Sequence, residues 1–274
     1  MSSYHSKDTA IPQPPPDDLD YKIIYSISKK YPTHTKYVVY NQPYAIPIIK
    51  TGETEKLPLS IRKLWSDKPK TSEYQLVDRS MRRAKTEIKD IILCNKFDMF
   101  ATFTFNGDEK NVEKFGYTVH DRQDPNELKS VMAKWLKAQK RKYGKFEYII
   151  VPEFHKDGKS LHFHALFNGY RGELADSGQY NNGRKIWLID SYNHGHSTIV
   201  KIKQTTQDIG RVSSYLTKYI TKDMPTFGNK KRYWCSTCFR RPEKQLNPRI
   251  PEIDLFTACY VAKEYTIYEF PRMS

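Results

Sequence analysis

The sequence predicts a mixed fold, α/β or α+β, in which helices pack on a sheet. Three observations predict it. The order of patterned segments over residues 100–222 is strand, helix, hairpin, strand, helix. Two alternating runs, EYIIVPEF at 147–154 and SLHFHALF at 160–167, are joined by Lys156-Asp157-Gly158-Lys159, and Asp-Gly between such runs is a strong hairpin signal. The chain has 274 residues, 38% hydrophobic and 14% aromatic, enough for one sizeable core with appendages or for two small domains.

Residues 1–20 hold Pro12, Pro14, Pro15 and Pro16 followed by Asp17, Asp18 and Asp20, the composition of a disordered arm. Residues 21–96 form an N-terminal extension. Its first part mixes short β-prone pieces, such as KYVVY at 36–40, with turn residues and lysines, and suggests no function. From Ser72 to Leu93 the pattern becomes a helix, with Leu76, Met81, Ala84, Ile88 and Ile91 or Ile92 on one stripe. The other side carries Arg79, Arg82, Arg83 and Lys85. A solvated charged face explains any one of them, whereas four cations in seven positions also suit a phosphate-facing helix. FATFTF at 100–105 alternates as a strand, Phe103 and Phe105 on one side, Thr102 and Thr104 on the other. A second helix is expected over 126–143, with Asp124 as N-cap and Pro125 in the first turn. Leu128, Val131, Met132, Trp135 and Leu136 form its buried stripe, and Gly144 ends it. STIVKIK at 197–203 is a further strand, leading into a helix from about Asp208 to Lys222.

Lysine and arginine number 46 against 31 acidic residues, a formal charge of +15. Such an excess favours a polyanion, because each neutralised phosphate releases condensed counterions. Nucleic acid is the natural candidate, with an anionic membrane surface as rival. No apolar run reaches the ~20 residues a spanning helix needs, so no membrane association is expected. Four cysteines (Cys94, Cys235, Cys238, Cys259) lack the density of a disulfide scaffold. A reduced, cytoplasmic protein is the expectation. Cys235-Ser236-Thr237-Cys238 is half of a zinc site at most, since a structural site needs four ligands. The cations and aromatics around it, including Lys231, Arg232, Tyr233 and Trp234, suit single-stranded DNA as well.

If Asp157 and Gly158 form the hairpin turn, Glu153 faces His162 directly. His164, two residues further, shares that face. Two imidazoles and a carboxylate with open positions suit a divalent ion such as Mg2+ or Mn2+, able to polarise a phosphoryl oxygen. His-x-His spacing alone is common by chance, and the cross-strand carboxylate is what raises it. His155 is expected beside the turn as a surface residue. His194-Gly195-His196 has the same spacing, but its glycine suggests a loop.

The run VSSYLTKYITKD at 212–223 sets Tyr215 and Tyr219 four apart on one helical face, with Lys218 and Lys222 on an adjoining one. Phenolate attack on a phosphodiester gives a phosphotyrosine and frees a hydroxyl, conserving the bond for religation. Tyrosines are abundant here, 20 in all, so packing alone would also explain a pair.

FATFTF, then Glu153 with LHFHALF, then YLTKYITK resembles the three motifs of the HUH endonucleases, in their order. The tyrosine pair is most similar to the two-tyrosine rolling-circle replication initiators of microviruses, filamentous phages and bacterial plasmids. The resemblance spans residues 97–224. It implies an α+β fold with a central antiparallel sheet flanked by helices, an N-terminal extension, and a C-terminal region (225–274) of unknown role. His162 and His164 match the paired metal ligands, Glu153 a carboxylate ahead of them, and Tyr215 and Tyr219 the alternating nucleophiles with Lys218 between. The implied activity is site-specific nicking of single-stranded DNA at a replication origin through a 5′-phosphotyrosine, with a Mg2+ or Mn2+ cofactor. Host helicase and polymerase are implied as partners, in the cytoplasm of a bacterial cell. A conjugative relaxase or single-strand transposase would share the chemistry, and a DNA-binding repressor would share the charge. Contacts to DNA are expected from Arg79, Arg82, Arg83, Lys222, Lys231 and Arg232.

Overall fold

A computed structural model describes residues 21–47, 73–106, 123–158, 160–247, 258–261 and 265–271. The arm expected over 1–20 lies outside them, as does Lys159 of the hairpin turn. The fold is α+β, with two antiparallel sheets and three α-helices among the described residues. The chain divides into two compact units, one holding both ends of the sequence and the other the middle.

The first unit is a five-stranded sheet in which strands from both ends of the chain pair with each other. β1 (Tyr21–Lys30) and β2 (His34–Pro47) form a hairpin, β10 (Glu243–Asn247) pairs with β1, and β12 (Tyr265–Pro271) joins β2 to β11 (Ala258–Val261). KYVVY lies in β2, matched residue by residue to β1 and β12. The extension and the tail, separate stretches of sequence, are thus one structural element. Ile24 and Tyr268 are buried in it, and buried Ser26 is satisfied by Asn247 Nδ2, which donates to its hydroxyl at 3.1 Å.

The second unit is built on a seven-stranded antiparallel sheet. At its centre β3 (Met99–Thr104) lies between β5 (Leu161–Asn168) and β8 (Ser197–Lys201), and β4 (Glu147–Phe154) completes the expected hairpin with β5. The short β9 (Trp234–Cys235) edges β4, while β6 (Leu174–Asn181) and β7 (Arg184–Ile189) extend the sheet beyond β8. Period-2 alternation sorts the side chains. Ala101, Phe103, Phe163, Ala165 and Phe167 point to one face and pack with the helix Pro125–Tyr143, the second of the chain and here α2. All five residues expected in the α2 stripe are buried there, Asp124 caps by accepting from Asn126 N–H at 2.7 Å, and Gly144 ends the helix at φ 90°. Burying side chains of this size contributes about 1.5–3 kcal/mol each.

Ile149, Val151 and Leu166 point to the opposite face, against α1 (Glu73–Cys94) and α3 (Thr206–Lys218). Ala84, Ile88, Ile91 and Ile92 are the buried stripe of α1. The sequence places this helix in an N-terminal extension, but its apolar stripe makes it part of the core of the second unit. No described helix is long and apolar enough to cross a membrane.

Two features depart from the sequence expectation. β6 and β7 form a hairpin with left-handed backbone at Asn182 and Gly183. Asn-Gly is a turn signal, but LADSGQYN neither alternates cleanly nor carries β-branched residues. Helix α3 stops at Lys218 rather than Lys222. Tyr219 and Ile220 donate backward to Leu216 and Thr217, tightening the last turn, and the Thr221 carbonyl accepts from Arg232 at 2.6 Å instead of from a helical N–H.

Candidate active site

The hairpin register is the expected one: Glu153 lies opposite His162 and Val151 opposite His164. Gly158, at φ 66°, makes the turn, its N–H donating to the His155 carbonyl. Glu153 does not meet His162, however. Its Oε2 accepts from His164 Nε2 at 2.7 Å, on the diagonal. A carboxylate only accepts, so in the singly protonated ring Nδ1 is left to accept from the Thr102 hydroxyl at 3.1 Å. Thr102 faces His164 across the β3–β5 ladder. It escapes sequence reading, which takes FATFTF as scaffold, because a threonine in an alternating strand carries no chemical signature of its own.

His162 is half-buried, and His155 is exposed with its ring 4.8 Å from that of His162. Burial, then the neighbouring His155 and His164, lower the pKa of His162 and leave a lone pair on its ring at neutral pH. In kind, Glu153, His162 and His164 are a donor set for a divalent ion. In arrangement, Glu153 and His164 are already at the spacing of two donors sharing an ion. The His162 ring stands 6.4 Å from that of His164, so a side-chain rotation is needed to complete the set. Consistent with that, no three His, Cys, Asp or Glu groups among the described residues are arranged to hold an ion as they stand.

The tyrosines lie over this face. Tyr215 is in the last turn of α3 and Tyr219 is its C-cap, their rings 5.1 Å apart and perpendicular. Tyr219 stacks on the His164 ring at 3.8 Å and 11°. Tyr215 meets the edge of Phe100, whose ring also stacks toward His164 at 5.9 Å. Phe100, His164, Tyr215 and Tyr219 thus form one aromatic cluster beside the Glu153–His164 pair. The two phenols are not equivalent. Tyr215 is 48% exposed, whereas Tyr219 is half-buried. Burial, a hydrogen bond with Tyr215 and the Glu153 charge push the Tyr219 phenol well above its ordinary pKa.

Residues 98–224 match a family model for replication-associated proteins of the ORF2 type. No curated protein and no solved structure matches the chain. The matched segment runs from the start of β3 to just past α3, and so contains Thr102, Glu153, His162, His164 and both tyrosines. The match supports a replication initiator.

The remaining expected residues are placed more widely. Lys218 ends α3, exposed and lining a shallow hollow with Tyr215. Lys222 lies beyond the helix and is half-buried, so it no longer repeats Lys218 at helical spacing. Arg79 is exposed on α1, Arg82 pairs with Asp78 at 2.7 Å, and Arg83 with Glu87 at 3.0 Å. Lys231 is exposed. Arg232 is buried, its donors spent on the Thr221 carbonyl and on Ser80 Oγ. The His194–His196 segment is a loop whose backbone pairs with Thr104 and Asn106. A Cβ on Gly195 would stand 2.4 Å from the Thr104 carbonyl, which explains the glycine there.

Proposed function

We propose that this protein starts rolling-circle DNA replication by nicking one strand of an origin, joining itself to the 5′ phosphate through a tyrosine and leaving a 3′ hydroxyl for extension. One observation carries the reading: two phenols at the end of α3 close over a Glu-His-His patch, in a segment similar to replication-associated proteins. Glu153, His162 and His164 would hold Mg2+ or Mn2+, which when bound polarises the scissile phosphate. Tyr215, exposed, is placed to attack first. Its oxygen forms the bond to phosphorus as the 3′ oxygen leaves, and its proton passes to solvent or to a nearby base. Tyr219 leaves its stack on His164 to attack in the second round, when the regenerated origin arrives. Lys218 beside Tyr215 steadies charge on the phosphate. Single-stranded origin DNA is the partner on this reading, with helicase and polymerase following.

The test is to incubate the protein with single-stranded DNA carrying the origin and Mn2+, then to look for a covalent adduct on a denaturing gel. The expected result is an adduct lost in excess chelator and in the Tyr215→Phe, Tyr219→Phe double variant. An adduct that survives the double variant overturns the reading.

A further inference from the structure

Between α3 and the β6–β7 hairpin lies an open trough of about 770 Å³, floored by β8 and β3. Its floor includes Phe100, Thr102, Thr198 and Val200, all half-exposed, with Val200 paired to Phe100 and Thr198 to Thr102 across the ladder. The interiors of β4 and β5 are buried; here apolar and aromatic side chains stand open. Five cations and one carboxylate line the trough. That carboxylate, Asp208, has both oxygens engaged by Arg184. Arg211 and Lys203, both exposed, bring positive charge to the rim. At one end the trough opens on Tyr215, and Tyr219 is not among its lining residues.

The geometry points to this trough as the bed for an unpaired DNA flank, seated with its bases on the Phe100–Val200 floor and its phosphates along Arg211 and Lys203. An apolar floor beneath a cationic rim matches a single strand, whose bases need cover and whose backbone needs charge. A duplex already stacks its bases and offers only phosphates, so the floor would gain nothing from it. The strand in this bed runs directly to Tyr215, which explains why the exposed tyrosine takes the first phosphate. The inference rests on the nicking reading only for that destination.

Photo-crosslinking tests it without requiring cleavage. An oligothymidylate of about a dozen nucleotides carrying 5-iododeoxyuridine, long enough to cover one such groove, is irradiated with the full chain in chelator, and the crosslinked peptides are mapped. Crosslinks to Phe100, Trp187 or Tyr215 are expected. Crosslinks confined to Tyr233 and Trp234, which line a second basic groove, overturn the trough. In parallel, Arg211→Gln with Lys203→Gln should weaken binding of the same oligonucleotide about tenfold at low salt. It should also flatten the slope of log K against log salt by about 1.4, two single-strand contacts at roughly 0.7 each. An unchanged slope in a double variant that melts like the parent also overturns it. Crosslinks in the trough without any covalent adduct in Mn2+ uphold the trough and sink the nicking. Adducts on Tyr215 with crosslinks elsewhere sink the trough alone.

Discussion

His164 is held from three sides: Glu153 accepts from Nε2, Thr102 bonds Nδ1, and the Tyr219 ring covers its face. Of these, the threonine is the least replaceable for a metal ligand. If Nε2 gives its lone pair to an ion, the ring proton must sit on Nδ1, and the hydroxyl that donated to Nδ1 must now accept from it. A hydroxyl can do both. Thr102→Val should therefore weaken Mn2+ binding by about 10–100-fold, as loss of a ligand's outer partner does, while Thr102→Ser retains most of it. Titration of Mn2+ by electron paramagnetic resonance decides the matter, and a valine variant that binds like the parent would refute it. The tyrosines give a second prediction. Because Tyr215 is exposed and Tyr219 is stacked, Tyr215→Phe should cost single-round adduct on the order of tenfold or more. Tyr219→Phe should keep the first adduct but fail to release circles repeatedly. Equal adduct yields from the two variants would show that the exposure difference has no consequence. The Glu153–His162 register is legible in sequence because Asp157-Gly158 fixes the turn and parity does the rest. The diagonal partnership of Glu153 with His164 is not, since it depends on rotamers, which spacing does not encode.

Elements are legible where local chemistry alone decides them. Helix α2 carries its cap, first-turn proline, stripe and terminal glycine in its own sequence, and all fall where expected. Helix α3 ends earlier than its periodicity predicts because its stop comes from Arg232, eleven residues past the Thr221 carbonyl that it captures. The start of α3 is fixed by a different long-range tie. Asp208, in its first turn, accepts from Lys203 N–H at 2.7 Å and from both terminal nitrogens of Arg184 on β7. It thereby fastens the helix bearing the tyrosines to the hairpin forming the far wall of the trough. The Arg184 guanidinium holds the Asp208 carboxyl below the ordinary carboxylate range. A depressed folded value means the stabilisation is complete above the unfolded pKa, near 3.9, and is lost as pH falls through the lower folded value. Asp208→Asn should cost about 2 kcal/mol at neutral pH, or about 4–8 °C in Tm. The deficit relative to the parent should shrink below about pH 4. A deficit that stays constant down to about pH 2 would mean that packing, rather than charge, makes the tie.

At the scale of the whole molecule, the pairing of β1 and β2 with β10 and β12 joins residues from opposite ends of the chain. Neither stretch signals its partner in sequence, because antiparallel pairing depends on backbone bonds that nearly every residue can make. The charge, by contrast, is legible from composition and acts over the entire surface. An excess of 15 positive charges predicts salt-sensitive binding to single-stranded DNA, whatever the sequence of the strand. If about six phosphates are contacted, affinity should fall by about 300-fold between roughly 50 and 200 mM salt, at about 0.7 per contact. The structure also says which cations should matter least to that slope. Arg82 and Arg83 on α1 each face an acidic partner one turn away, so much of their field is cancelled before a phosphate arrives. Neutralising Arg82 and Arg83 together should therefore change the slope less than neutralising Arg211 and Lys203, although each pair removes two positive charges. Fluorescence anisotropy over a salt series compares the two pairs directly. A larger loss from the α1 pair would move the main DNA contact to that helix and make its exposed face the phosphate-binding surface of the protein.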